Sequence, residues 1–206
     1  MSELSFDTNE AKIAYGIGRQ IGDQLRGSDL GELSLDHLFA AIKDALNDQP
    51  MAVPAEQLEA AFAELQATME EKSKAAAAET VAAGEAFLDK NKAREGVQVT
   101  ASGLQYEVIE EGAGNQPVAS STVRVHYEGR LVDGQVFDSS IQRGEPIEFP
   151  LAGVIAGWTE GLQLMKEGSK YRFAIPAELG YGAQGAGAVI PPHATLVFDV
   201  ELIAII

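Results

Sequence analysis

Leu196-Val197-Phe198-Asp199-Val200-Glu201-Leu202 sets apolar against polar residues with the alternation that is typical of a half-buried β-strand. The same alternation recurs over residues 104–108, 123–127 and 170–175. Asp133-Gly134 lies between two apolar pairs and is a turn signal for a β-hairpin. Together these patterns predict an antiparallel sheet of about five strands.

One short helix fits between the strands, over residues 157–165, and the chain enters it through Val154-Ile155. An amphipathic sheet must cover its apolar face, and a single helix is the element available in this part of the chain. We therefore predict the α+β class for residues 97–206, with the antiparallel sheet wrapped on one short helix.

Glycine and proline are distributed unevenly along the chain. Only 6 of the 21 glycines and 2 of the 8 prolines precede residue 96, so helical patterning dominates there and turn-punctuated strands follow. The sequence predicts a helical dimerisation domain over residues 1–53, a long linking helix over 54–96 and the α+β domain over 97–206.

Two short helices are predicted in the first domain, over residues 8–25 and 35–46, the second with Ser34 as N-cap. Ala14, Gly18 and Gly22 form a stripe of small residues along the first helix. Glycine inside a helix costs about 1 kcal/mol relative to alanine, so the stripe indicates close approach of another helix. Two short helices make a thin core for a domain this small, and we predict a symmetric homodimer through residues 1–53.

The third predicted helix begins near Pro54 and ends before Gly96. Its first third carries an apolar stripe, whereas the alanine-rich middle around residues 75–78 has little to bury. Such a helix acts as a spacer. The alternative is two shorter helices with a break near Ser73.

The overall charge is acidic, with 15 basic against 31 acidic residues and a net charge of -16. Binding of nucleic acid or anionic lipid relies on basic residues, so neither is expected as a partner. No stretch is apolar enough to span a membrane, and cysteine is absent. Residues 1–7 have neither the basic nor the apolar region of a signal peptide, so none is expected. A cytoplasmic location is the simplest expectation, although a processed periplasmic chain also fits.

The sequence offers no arrangement typical of covalent or metal-assisted catalysis. It has no Ser-His-Asp pattern with an oxyanion loop and no metal-ligand spacing, and the glycine-rich run 181–188 lacks the Lys-Ser/Thr ending of a phosphate loop. We therefore expect no cofactor and no metal. Aromatic and branched aliphatic residues near turns, with the acid of Phe137-Asp138 beside them, indicate a small apolar ligand pocket.

Five motifs carry a family resemblance: Val125-His126-Tyr127-Glu128-Gly129, Asp133-Gly134-x-x-Phe137-Asp138-Ser139-Ser140, Val154-Ile155-Ala156-Gly157-Trp158, Tyr181-Gly182 and the run from Ile190-Pro191-Pro192 to Leu202. In this order the second part resembles the FKBP-type peptidyl-prolyl cis-trans isomerases. The first part resembles the N-terminal dimerisation domain of their macrophage infectivity potentiator subgroup, whose members form V-shaped homodimers.

The resemblance implies a prolyl isomerase that acts on proline-containing peptides and folding proteins. It implies catalytic roles for Tyr127, Phe137, Asp138, Ile155, Trp158, Tyr181 and Phe198. It implies substrate or macrolide contacts for Arg143, Ile147, Phe149, Val154, Val189 and Ile190. Ile147 and Ala186 replace an aromatic residue and a histidine that are common at the rim, which bears on macrolide affinity.

Within that pocket, Trp158 is expected to form the floor, and three aromatic rings the walls. The Tyr181 hydroxyl and the Ile155 backbone N–H are the expected donors to substrate carbonyls. Arg143 is expected to keep Asp138 ionised near the rotating carbonyl. A second functional class stays open beside the enzyme: a chaperone-like holder that binds unfolded chains between the arms of the dimer.

Overall fold

The structure is a computed structural model that describes residues 5–26 and 34–206. The predicted domain 1–53 also includes residues 1–4 and 27–33, which lie outside the described residues. Contacts divide the chain into two compact units, Met1–Ser73 and Lys74–Ile206. The predicted domain limits at 53 and 96 stay a prediction.

The first unit is helical, and its third helix continues beyond Ser73 into the second unit. Helix α1 spans Asn9–Arg26, α2 spans Leu35–Leu46 and α3 spans Ala55–Lys92. These bounds agree with the predicted helices, and α3 is continuous through Ser73, so the alternative of two shorter helices was wrong. Neither α1 nor α2 buries any of its described residues within the single chain. Their apolar faces are therefore available to a partner.

The second unit is built on a seven-stranded antiparallel sheet. Its strands are β1 Val97–Val99, β2 Gln105–Glu110, β3 Thr122–Leu131, β4 Val136–Ser139, β5 Ile147–Pro150, β6 Lys170–Ile175 and β7 Leu196–Ile205. The order is β1-β2-β6-β7-β3-β4, and β5 also pairs with β3. Two helices interrupt the strands, α4 over Ser140–Arg143 and α5 over Ala156–Leu162.

The α+β class is confirmed, but the predicted number of strands was too low. Strand β1 has 3 residues and β5 has 4, too few for alternation to be recognised in the sequence. The hairpin at Asp133-Gly134 is present between β3 and β4, and Gly134 has a φ of 93°, which glycine adopts readily. Helix α5 covers one face of the sheet through buried residues such as Trp158 and Leu162.

The C-terminal part of α3, from Lys74 onward, belongs to the second unit and packs on its sheet, so α3 does not act only as a spacer. The Asn91 side chain is buried and donates to Gln105 Oε1 at 2.9 Å, while Gln105 Nε2 donates to the Leu88 carbonyl at 3.0 Å. Gly84 is buried next to Thr195, where a Cβ at residue 84 would lie 2.5 Å from the threonine hydroxyl. Glycine at this position lets the helix approach closely.

We predict that Gly84→Leu destabilises the sheet unit. Overpacking of a tight site costs about 1–3 kcal/mol, which exceeds the gain in helix propensity on replacing glycine. Chemical unfolding followed by Trp158 fluorescence measures the free energy of unfolding. The matched control is Ala82→Leu on the same helix, where the side chain is exposed. Equal stability of the two variants would contradict the close contact.

Candidate active site

Trp158 lies at the centre of an aromatic cluster on the α5 side of the sheet. Its ring centroid is 5.2 Å from that of Tyr127, 5.1 Å from Phe198 and 5.2 Å from Phe149. Phe137 meets Phe198 at 5.5 Å, and the planes of these two rings are nearly perpendicular. Edge-to-face contacts of this kind fix ring orientation, so the cluster is a rigid apolar surface.

The strand register brings these rings together. On adjacent strands β3 and β7, Gly129 pairs with Phe198, and side chains two residues apart share a face, as Tyr127 and Gly129 do. A Cβ on residue 129 would lie 2.5 Å from the Phe198 ring and 2.8 Å from the Phe137 ring. The missing side chain of Gly129 is what lets both rings lie against the backbone.

The cluster forms the wall of a cavity of about 340 Å³. Ten of the predicted site residues line it: Tyr127, Phe137, Asp138, Ile147, Phe149, Val154, Ile155, Trp158, Tyr181 and Phe198. This volume lies within the usual range for ligand pockets. The geometry therefore groups most of the predicted residues at one site, while their individual roles stay a prediction.

Three predicted residues do not line this cavity. Arg143 reaches it indirectly, through its bonds to Asp138 and Tyr127. Val189 is half exposed on the loop before β7, and Ile190 is buried in the core. The Ile190 backbone is held by Ala186, whose N–H donates to the Ile190 carbonyl at 2.9 Å. Both residues therefore belong to the loop that supports the site.

Two glycines at the site were not among the predicted site residues. Gly153 lines the cavity, and Gly129 gives the rings their room. A glycine in an alternating strand suggests close approach of another group, and this is the only sequence signal that could have indicated Gly129.

Among the described residues, Asp138 is the only charged one that lines the cavity, and two partners hold its carboxylate. It accepts hydrogen bonds from the Tyr127 hydroxyl and from Arg143 Nη1, and Arg143 Nη2 donates to the Tyr127 hydroxyl at 3.0 Å. Burial by itself would raise the pKa of Asp138, but these hydrogen bonds and the Arg143 charge outweigh it and hold that pKa below its usual value. Burial, followed by the bond to Asp138, raises the pKa of Tyr127, so its phenol stays protonated.

Two hydrogen-bond donors belong to residues that line this cavity and have no acceptor in the described part of the chain. The backbone N–H of Ile155 lies just before α5, and the half-exposed Tyr181 hydroxyl borders the cavity. The Trp158 indole N–H is different, since it is buried and has no acceptor among the described residues. An unpaired buried donor costs about 1–3 kcal/mol, which the aromatic packing must offset.

Among the described residues, no three His, Asp or Glu side chains are grouped so that they could hold a metal ion. Within residues 5–26 and 34–206, no helix has both the length and the apolar character needed to cross a membrane.

Comparison with known proteins places the chain in a family. A family model described as FKBP-type peptidyl-prolyl cis-trans isomerase matches residues 114–203, and one described as the domain amino terminal to FKBP-type peptidyl-prolyl isomerase matches residues 10–108. The FKBP-type 22 kDa peptidyl-prolyl cis-trans isomerase of Escherichia coli strain K12 is 49% identical over 210 residues, with 100% of both chains covered. The chain belongs to the FKBP-type peptidyl-prolyl cis-trans isomerases.

Other FKBP-type relatives extend the similarity over both units. The crystal structure of FkpA from Escherichia coli has a TM-score of 0.71 at 38% identity, and 98% of each chain is covered. The outer membrane protein MIP of Legionella longbeachae is 37% identical over 205 residues, which cover 98% of this chain and 88% of the relative. The predicted family, fold class and isomerase activity are confirmed.

We predict that Gly129→Ala strongly lowers prolyl isomerase activity, although residue 129 itself does not contact the substrate. The added methyl must displace the Phe198 and Phe137 rings, which reshapes the FKBP cavity. The measurement is kcat/KM on a short X-Pro peptide. The control is Gly84→Ala, where the new Cβ meets Thr195 at a similar 2.5 Å but away from the cavity. Full activity of folded Gly129→Ala would contradict the packing argument.

The pKa of Asp138 generates a second prediction for this site. Because the folded-state pKa is lowered, the interactions of the ionised carboxylate are present at neutral pH and are lost as the pH falls through that value. In Arg143→Gln, burial persists while one hydrogen bond and the positive charge disappear, so the pKa of Asp138 rises. The acid limb of kcat/KM should move to higher pH.

The control for this profile is Arg124→Gln on the same sheet, which breaks the exposed ion pair with Glu148 and should leave the limb in place. Superimposable acid limbs for wild type and Arg143→Gln would show that Asp138 ionisation does not govern activity.

Proposed function

We propose that the cavity around Trp158 is the active site and that it accelerates rotation about X-Pro bonds in peptides and in folding proteins. The observation that carries this proposal is the aromatic cluster beside two available hydrogen-bond donors, Ile155 N–H and Tyr181 Oη. This arrangement binds a proline ring and its carbonyls, and it presents no nucleophile to them.

The barrier explains why such a cavity is sufficient. Rotation about a peptide bond crosses about 18–20 kcal/mol because the amide loses its resonance, and uncatalysed proline exchange takes roughly 10–100 s at 25 °C. The twisted amide has a less polar carbonyl than the planar one. A dry site therefore disfavours the planar, water-stabilised ground state relative to the twisted transition state.

Each residue has a role in this mechanism. Trp158 supports the proline ring from below, and Tyr127, Phe137 and Phe198 enclose it. Ile155 N–H and Tyr181 Oη orient the carbonyls on either side of the bond. The Asp138 carboxylate lies beside the rotating carbonyl, where its negative charge interacts with the carbonyl carbon, and its two partners keep it from acting as a base.

The same cavity is proposed to take a macrolide-type inhibitor in competition with peptide. Ile147 supplies less contact area there than an aromatic ring, and Ala186 packs against the core instead of presenting a polar side chain. Macrolide affinity is therefore expected to be weaker than in FKBPs with larger rim residues.

We further propose that residues 1–53 join two chains into a homodimer. Ile13, Ile17 and Phe39 on α1 and α2 are 63%, 55% and 62% exposed in the single chain. Gly18 and Gly22 have no atoms within 4 Å of the position of a Cβ, so another backbone can approach there. A second copy of the chain would cover this apolar surface, and its helices could approach closely along the stripe of small residues.

A chaperone-like holder of unfolded chains is the alternative, and the same exposed apolar residues favour it. The two functions differ in one testable respect: the effect of a holder on a refolding protein does not depend on the cavity, whereas the effect of the enzyme does.

The test of the active site is Phe198→Ala in the full chain, assayed with a short X-Pro peptide. Loss of this ring opens the cavity to water, and kcat/KM should fall by at least about tenfold. Phe62→Ala on α3 is the matched control, because it removes a phenylalanine that is 59% exposed and distant in sequence from the site. Unchanged peptide activity of folded Phe198→Ala would reject the cavity as the active site.

The dimer is tested by comparing the full chain with residues 74–206, a limit that keeps the part of α3 packed on the sheet. The short form should be a monomer with normal peptide activity. It should lose activity on proline-limited refolding, because two linked sites can raise avidity by roughly 10²–10⁴.

In the full chain, Gly18→Leu should separate the helices and produce the same loss. Gly16→Leu, on the opposite side of α1 and equally free of neighbours, is the control. Sedimentation gives the mass of each form. A monomeric full chain, or equal refolding activity from residues 74–206, would show that the helical part has another role.

A further inference from the structure

A second cavity lies on the sheet face opposite Trp158. We call it the outer cleft. It has a volume of about 380 Å³ and is lined by Phe87, Lys90, Asn91, Arg94, Arg130, Leu131, Val132, Gly134, Arg172 and Val197. On β7, Val197 points away from the side of its neighbour Phe198, and on β6 Arg172 points away from Phe173. The outer cleft is therefore separate from the prolyl site.

The outer cleft concentrates positive charge in an acidic chain. The whole sequence has 15 basic residues and a net charge of -16, yet four basic side chains and no acid line this one cavity among the described residues. A concave site lined by one sign of charge focuses the local potential and favours counter-ions. Glu107, Glu128 and Asp199 pair with the three arginines, so the charge left to attract an anion is that of the lysine, Lys90.

Three of the four cations are held in place by carboxylates that do not line the cleft. Asp199 accepts hydrogen bonds from both Arg130 and Arg172, and Arg94 binds Glu107 at 2.9 Å. Asp199 has a lowered pKa, because bonds from Arg172 and the two arginine charges outweigh its burial. The arginines are thus oriented in advance, which reduces the entropy lost on binding a ligand.

Lys90 is the fourth cation, and it makes no ion pair or hydrogen bond within the described part of the chain. Lys92, two residues later on α3, is paired with Asp89 at 2.7 Å. Lys90 therefore supplies an exposed, unpaired charge in the lining of the outer cleft. A carboxylate is a natural partner for an ammonium group with free donors.

The remaining wall is apolar, formed by Phe87, Leu131, Val132 and Val197. A peptide strand has no place to add here, because β6 lies between β2 and β7, and β7 lies between β6 and β3. The volume also lies at the small end of the range for ligand pockets. These features favour a compact ligand with one charged end and one apolar end.

We propose that the outer cleft binds a small organic carboxylate. Lys90 contacts the carboxylate, with Arg94 and Arg130 beside it, and the apolar body packs on Phe87, Val132 and Val197. The proposal does not depend on the prolyl isomerase mechanism, because it uses the other face of the sheet.

The experiment titrates the isotope-labelled full chain with hexanoate and follows backbone amide and indole signals by NMR. Saturable shifts are expected at Leu131, Val132 and Val197, with little change at Ile155 or the Trp158 indole. Hexanamide keeps the apolar body without the charge, and acetate keeps the charge without the body. Both should bind at least about tenfold more weakly.

Substitutions of Lys90 and Lys92 show which lysine charge binds the carboxylate. Lys90→Gln should lower hexanoate affinity about tenfold, and Lys90→Arg should restore most of it. Lys92→Gln, with the same change in charge one half-turn away, should leave affinity unchanged. Peptide isomerisation of every variant should stay at the wild-type level, which verifies folding.

Three results would overturn the proposal. The first is absence of saturable hexanoate binding. The second is equal affinity for hexanamide, which would indicate an apolar site only. The third is equal affinity of Lys90→Gln and Lys92→Gln for hexanoate, which would mean that Lys90 stabilises the C-terminal end of α3 and does not bind a ligand.

Discussion

Packing of three aromatic rings on the Trp158 indole is the constraint on which the active site depends. Tyr127 comes from β3, Phe198 from β7 and Phe149 from β5, so the cluster exists only when these strands pair in the observed register. A slip of one residue would move Phe198 to the opposite face of the sheet. The register that stabilises the core is therefore the same register that forms the proposed catalytic cavity.

The polar groups of the site bind one another, so they add little acid or base character to the cavity. The carboxylate of Asp138 is occupied by Tyr127 and Arg143, and a group held in this way has a lowered pKa and little tendency to take a proton. In the proposed mechanism, catalysis then depends on the shape of the cavity and on desolvation of the substrate. Ordinary side chains suffice because no covalent bond forms or breaks.

The two faces of the sheet carry different chemistry because side chains alternate along each strand. The face with Trp158 is aromatic, and the face toward the C-terminal part of α3 carries Arg130 and Arg172. Charged residues there need partners, and Asp199 supplies one to both arginines. Alternation in β7 thus places Phe198 in one site and Asp199 on the other face.

Much of this arrangement could be predicted from local patterns. The strand at 196–202 and the turn at Asp133-Gly134 depend on neighbouring residues, so alternation and turn chemistry identify them. The grouping of Trp158 with Phe198 followed from family motifs, because spacing along the chain does not determine which strands pair. Family position also placed Val189 and Ile190 at the pocket; both lie on the loop before β7 and outside the cavity lining, and their contact with a ligand stays a prediction.

Long-range contacts account for the features that the patterns did not indicate. Gly129 is required by rings from β4 and β7, which are distant in sequence. The packing of Gly84 and Asn91 on the sheet could not be predicted either. The apolar stripe of α3 is weak, and such a pattern indicates a spacer helix. Short strands such as β1 depend on their partner β2 and have too few residues for a pattern of their own.

The central claim is that the cavity lowers the barrier by shape and desolvation, without transfer of a proton. The most direct measurement is the solvent deuterium isotope effect on kcat/KM for a short X-Pro peptide, compared in H₂O and D₂O on the pH-independent plateau. A ratio close to unity is predicted, because no proton moves in the transition state. A large normal isotope effect would contradict the claim and would indicate general acid or base catalysis by Asp138 or Tyr127.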